Sequence, residues 1–379
     1  MLSELSHLQV NWVDGMKISR KHFQQTEEFI NEQLKDINAQ QITPFNFGIL
    51  PSENPLILEV QCDFNQQILV TVKYCDAVTP NGSRIFISPL QDIKTSIHFK
   101  DIAAQYALQT ALPQTLFIIL SINPFSRLPY GEPAVDENPP RHPYSQPEIN
   151  VNVLPAEQIK SQQLGNNLII GKIVYSNGEL IYQREFIPPC TMVNCLPILK
   201  DWYSRFRSVL ESLESNSFKI IEKIQVKGQE NKLTVCIGKL AERIVLDIAG
   251  IRTHYRWIIP FSSPIFLCEL LIQFLQQINT SLLCFSSSDR EEVINYFTEW
   301  TNLQQGIIQK QTAGALQIQY DHNDLSKILG EIYQVYNMYQ QIFEEMVKLE
   351  YIGKHKGEGV IYIDKKVEVQ PEKKWSPLE

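Results

Sequence analysis

The sequence predicts an α+β multidomain protein, an N-terminal antiparallel β-sandwich followed by an α-helical bundle. Three observations lead there. Short runs rich in Ile, Val, Phe and Tyr alternate with turn signals between residues 55 and 188. After Pro188–Pro189 the apolar spacing switches to three and four residues, and a second seam with that spacing returns at 325–349. A length of 379 residues suits two or three domains. The expected divisions are 1–40 (N-terminal arm and first helix), 41–189 (sandwich), 190–350 (bundle) and 351–379 (a short tail).

The first helix is expected over Ser19–Asn38, with Ser19 as N-cap and Phe23, Ile30 and Leu34 as a modest apolar stripe. Strands are expected at "LILEVQ", "QILVTVKY", "RIFISP", "TSIHF", "TLFIILSI", "EINVNVLP", "LIIGKIVY" and "ELIYQREFIP". Asn-Gly turns at 80–83 and 176–179 favour tight hairpins, because both central positions need positive φ. Seven prolines between Asn123 and Pro147 predict a long loop rather than strand.

In the helical half, Leu196, Leu199, Tyr203, Phe206, Leu210 and Leu213 form one heptad seam, continued by Ser217, Ile220 and Ile224. A second helix is expected over Leu233–Tyr255, and a third from the Ser263-Pro264 cap. A fourth starts at a Ser288/Glu291 capping box. The last spans Asn323–Glu350 on Leu325, Ile328, Ile332, Val335, Tyr339, Ile342, Met346 and Leu349. These seams suit a core within one chain or the axis of a symmetric oligomer. The tail carries one strand-like run, "GVIYIDKKVEV".

A net charge of -8 and the lack of any long Lys/Arg cluster argue against nucleic acid and against a polybasic membrane anchor. The seven cysteines are scattered in apolar runs, which fits buried thiols in a reducing compartment. Cys190 and Cys195 lack the partners of a zinc site. No secretory signal opens the chain, and the apolar segment 264–278 is too short to cross a bilayer. The expectation is a cytoplasmic protein.

No HExxH, GxSxG, Walker or dinucleotide-binding pattern occurs, so no catalytic, cofactor-binding or metal residue is assigned and no cofactor is expected. The densest polar cluster, Asp321-His322-Asn323-Asp324, reads as a metal or acid/base site or as a helix start capped by Asn323. The second reading is preferred.

Residues 10–25, "VNWVDGMKISRKHFQQ", resemble the N-terminal signature of the TssK family, the trimeric baseplate subunit of bacterial type VI secretion. Trp12, Gly15, Met16, His22, Phe23, Gln24 and Gln25 match it, while Val13, Asp14, Arg20 and Lys21 depart from it. "FNFGIL" (45–50), "PNGSRIFISP" (80–89), "FIPPC" (186–190) and "YDHNDL" (320–325) resemble later family segments in the same order. The resemblance implies a β-sandwich shoulder, a helical neck that forms a homotrimer, and docking to the wedge proteins TssF and TssG. It also implies a structural adaptor, not an enzyme, at the cytoplasmic face of the inner membrane. Typical members continue into a head that reaches the membrane complex. Only residues 351–379 follow the last seam here, too few for such a head, an arrangement that resembles a divergent subtype of the Bacteroidetes kind.

The matched residues could anchor the N-terminal arm or contact a partner. Two other functions fit the architecture: a phage-like receptor-binding protein, and a β-sandwich hydrolase with Asp136 and Glu137 on the Pro-rich loop.

Overall fold

The computed structural model describes residues 6–355, apart from Leu90, Val135, residues 160–163, Asn302 and Gln305. The strand-like run at 359–369 lies outside the described residues.

The chain opens with α1 (Arg20–Gln41) and then builds two antiparallel sheets. The first holds β1 (Gly48–Ile49), β2 (Leu56–Cys62), β3 (Gln67–Val78), β4 (Arg84–Ile87) and β5 (Ile93–His98). β3 is its spine, pairing with β1 and β2 along one edge and with β4 and β5 along the other. A short α2 (Phe99–Gln105) leads to the second sheet, ordered β7-β6-β8-β9, from β6 (Gln114–Tyr130), β7 (Tyr144–Pro155), β8 (Asn167–Ser176) and β9 (Glu179–Tyr182). Alternation explains the register: Ile68, Val70 and Val72 of β3 and Ile118 and Leu120 of β6 are buried in one shared core.

The helical half consists of α3 (Pro197–Val226), α4 (Lys232–Trp257), α5 (Pro264–Leu283), α6 (Ser287–Thr301), α7 (Ile307–Leu316) and α8 (Leu325–Lys348). α8 is central. Phe206 of α3 meets Tyr333 and Tyr336 edge-on at 5.3 Å each, and the Tyr336 hydroxyl donates to Leu271 O of α5 at 2.9 Å. Tyr339 bonds Thr312 of α7 at 3.0 Å, and Phe343 faces Phe297 of α6 at 6.4 Å. α5 is 20 residues long and apolar enough, by length and composition, to cross a membrane, longer than the 264–278 stretch that the sequence suggests. Its Leu267, Leu271, Phe274, Leu275 and Ile278 are buried against the other helices.

Several expectations are corrected. The segment 123–147 is strand at both ends and loop only over 131–143: β6 and β7 stay paired from Asn123↔Glu148, through a bulge, to Tyr130↔Tyr144. Proline is tolerated there because it sits where no ladder donor is needed on one edge of a two-stranded arm. The 176–179 turn has positive φ at Asn177 and Gly178 as expected, whereas at 80–83 only Gly82 does, within a longer loop closed by Thr79 N–H to Ser83 O at 2.9 Å. Ser286, not Ser288, caps α6, accepting from Asp289 N at 3.2 Å. Asp324, not Asn323, precedes α8, and its carboxylate is held by Lys172 at 2.6 Å and by Ser326 Oγ at 3.0 Å rather than by a backbone N–H of the helix. The apolar periodicity does not reveal α2 or α7, which are only seven and ten residues long. All seven cysteines are free, and five are buried, but Cys284 is exposed.

Candidate functional site

The N-terminal signature folds as an extended helix cap. Gly15 takes φ +77° in a turn closed by Met16 N–H to Val13 O at 3.2 Å. Ser19 caps α1, and the N3 residue that reciprocates is His22, whose Nδ1 accepts from Ser19 N at 3.2 Å. A capping box normally uses Glu or Gln there; an imidazole nitrogen does the same job. Trp12 sits edge-on to His22 at 5.9 Å. Trp12 is 47% and Phe23 58% exposed, while Met16, Gln24 and Gln25 are half-buried.

The arm is tied down by residues ahead of the signature. Glu32, the buried residue of α1, accepts from Ser6 N and Ser6 Oγ at 2.9 Å each, and also from His7 N. Burial acts to raise its pKa, but the Ser6 and His7 donors outweigh it and the net shift is downward. The His7 ring stacks on Phe125 of β6 at 4.0 Å. Sequence reasoning missed Glu32 because an isolated helix heptad gives a lone Glu no reason to point inward.

The seam residues are placed inside one chain. Leu199, Phe206, Leu210 and Leu213 of α3, and Leu325, Ile328, Ile332, Val335, Tyr339, Ile342 and Met346 of α8, are buried in the shared core; Tyr203 and Leu349 are half-buried against it.

A second cluster joins the two halves. Phe45 O accepts from Ser263 Oγ at the head of α5. Phe47 O hydrogen-bonds His322 Nε2 at 2.9 Å, and the two rings meet edge-on at 4.7 Å. The other imidazole nitrogen, Nδ1, lies 2.7 Å from the Tyr320 hydroxyl. Burial pushes the His322 pKa down to about 4, so the imidazole is neutral at pH 7. Gly48 has φ +113°, and a Cβ there would fall 2.1 Å from Pro189 O. The next residue, Ile49, donates its N–H to that same carbonyl at 2.8 Å and accepts from Thr191 N at 3.0 Å. Three segments singled out in the sequence, "FNFGIL", "FIPPC" and "YDHNDL", therefore meet in space. The polar cluster at 321–324 is a structural tie, with Asp321 accepting from Asn323 N at 2.9 Å.

Asp136 is exposed and Glu137 is paired with Arg141. Among the described residues no group of three His, Cys, Asp or Glu is placed to hold a metal. A groove of ≈ 320 Å³ between α3 and α4 has Leu210, Ile248 and Tyr255 in its floor and Arg207, Arg252 and Arg256 at its rim. Arg207 is paired with Glu211 and Arg252 with Glu214.

Two antiparallel sheets locked to a helical bundle through buried backbone ties define a scaffold-like, two-part architecture. No family model and no curated protein matches the sequence. Solved structures do. A crystal structure of TssK aligns over 88% of this chain and 69% of its own, with 13% identity and a TM-score of 0.50. A TssK–TssF–TssG baseplate subcomplex of a type VI secretion system aligns over 89% of this chain and 99% of its own, with 13% identity and a TM-score of 0.48. A type VI baseplate complex aligns over 89% and 100%, with 13% identity and a TM-score of 0.47. The fold is that of TssK.

Proposed function

We propose that this chain is a TssK-type baseplate subunit of a bacterial type VI secretion system, a structural and non-catalytic adaptor. The observation that carries this is the likeness to the TssK crystal structure over 88% of the chain. The N-terminal signature at residues 10–25 supports it independently, since it rests on residue identities and not on the fold. In this reading residues 1–189 are the shoulder, 190–350 the neck, and the working unit is a cytoplasmic homotrimer that docks to TssF and TssG. Assembled, it sits below the membrane complex, which it reaches directly or through another subunit. The wedge proteins enter as partners through the family resemblance of the signature.

The signature is assigned to partner contacts rather than anchoring, because Ser6 and His7 already fix the arm while Trp12 stays about half exposed. Co-expression with the TssF and TssG of the same secretion system, followed by affinity capture and light scattering, tests the proposal. A trimer retained on the wedge proteins is the expected result. A stable monomer at micromolar concentration that captures neither protein overturns it.

A further inference from the structure

The turn that joins α4 to α5 sorts its side chains by helical spacing. Tyr255 and Ile259, four residues apart, point inward and are buried. Trp257, Ile258 and Phe261 are left outside at 67%, 51% and 64% exposed, and Phe266 follows in the first turn of α5 at 43%. Rolling the chain to cover them would bring Tyr255 and Ile259 into water. The backbone is also pinned. Val193 N–H donates to Ser262 O at 2.9 Å, Asn194 N–H to Pro260 O at 3.0 Å, and Ser263 Oγ to Phe45 O. Pro260 and Pro264 fix two further φ angles. An apolar patch held this rigidly marks an interaction surface, and covering it costs little conformational freedom.

Charge says what covers it. The three segments tied together here, residues 42–52, 186–200 and 251–268, contain no Asp or Glu, in a chain that has 42 of them and a net charge of -8. The last turns of α4 supply Arg252, His254 and Arg256, all exposed. Glu214 of α3 pairs with Arg252, whereas among the described residues Arg256 and His254 have no ion pair. Trp and Arg side by side are the composition of interface hot spots. A second copy of the patch would set the same arginines face to face, while a partner bearing carboxylates would neutralise them. An anionic membrane is disfavoured, because residues 251–268 hold no lysine and the chain as a whole is negative.

We propose that the turn from α4 to α5 is a docking site for another protein. The contacting segment of that partner sets apolar side chains on Trp257, Ile258, Phe261 and Phe266 and carboxylates on His254 and Arg256. The site belongs to the helical half, whereas the signature at residues 10–25 leads into α1. It rests on this patch alone and not on the baseplate reading.

The test uses the full chain in its host cell, with the photoreactive residue benzoylphenylalanine in place of Phe261 and mass-spectrometric sequencing of the cross-linked peptide. The expected product joins this position to a different protein, through a segment that combines apolar residues with Asp or Glu. Arg256→Glu is expected to lower the yield about tenfold or more, Arg256→Lys to keep most of it, and Trp257→Ala to lower it about tenfold. These side chains are exposed, so the far-UV spectrum of each variant stays that of the wild type. A cross-link to lipid, to another copy of this chain or to residues 356–379 of the same chain overturns the proposal. So does the absence of any cross-link, or a yield indifferent to Arg256→Glu. Each of those outcomes leaves the baseplate reading standing.

Discussion

Tyr203 and Tyr255 exchange hydrogen bonds: each hydroxyl donates to the other's carbonyl oxygen, at 3.0 and 2.6 Å, while the rings stack at 4.6 Å. The pair rivets the N-terminal part of α3 to the last turn of α4. Burial raises both phenol pKa values, so neither hydroxyl ionises in the physiological range. Tyr255→Phe and Tyr203→Phe are each expected to lower stability by about 1 kcal/mol, because ring stacking remains and one hydrogen bond is lost. Denaturant unfolding followed by tryptophan fluorescence checks this, and the double variant should lose less than the sum if the two bonds reinforce each other.

The His322 tie makes stability depend on pH. Its pKa falls from 6.5 to about 4 on folding, so between those values the unfolded chain binds more protons than the folded one. Stability is therefore complete above pH 6.5 and declines as the pH drops toward 4, by up to about 3 kcal/mol from this group. His322→Gln should start less stable at pH 7 and lose less between pH 6.5 and about 4 than the wild type, measured by thermal unfolding across that range.

Gly48→Ala is expected to be severe, on the order of 3 kcal/mol or more, because the added carbon meets the Pro189 carbonyl and the backbone lies at positive φ. Gly250→Ala, in α4 with nothing within 4 Å of the new carbon, should instead stabilise by about 0.5–1 kcal/mol. Melting temperatures of the two variants, moving in opposite directions, check both.

Leu210→Asp and Ile332→Asp place a carboxyl in the core of a single chain, since these side chains are 5% and 0% exposed. The expected outcome is loss of the bundle itself, several kcal/mol of destabilisation seen as lost far-UV helicity, rather than dissociation into folded subunits. Folded monomers of either variant would show that the seam does not hold the subunit together.

Much of this is legible in the sequence. Heptad spacing over 199–213 and 325–349 marks α3 and α8 because each buries one stripe in a single core, which is a local property. Asn177-Gly178 announces its hairpin for the same reason. The Pro-rich arm of β6 and β7 is hidden, since proline counts against a strand unless its edge is known to be free. The direction in which α1 faces is hidden as well: Phe23, Ile30 and Leu34 read as a stripe, but a stripe does not say that all three stay exposed. The Phe47–His322 bond spans 275 residues of sequence, a separation that no local pattern encodes.

The ties at Phe45, Phe47, Ile49 and Lys172, set in one unbroken apolar core, leave no swivel between sheets and bundle. Close-packed interiors transmit strain instead of absorbing it. A push or twist delivered to β3 or β8 would therefore arrive at α8 almost undiminished, so that the subunit acts as a stiff lever and not as two beads on a string.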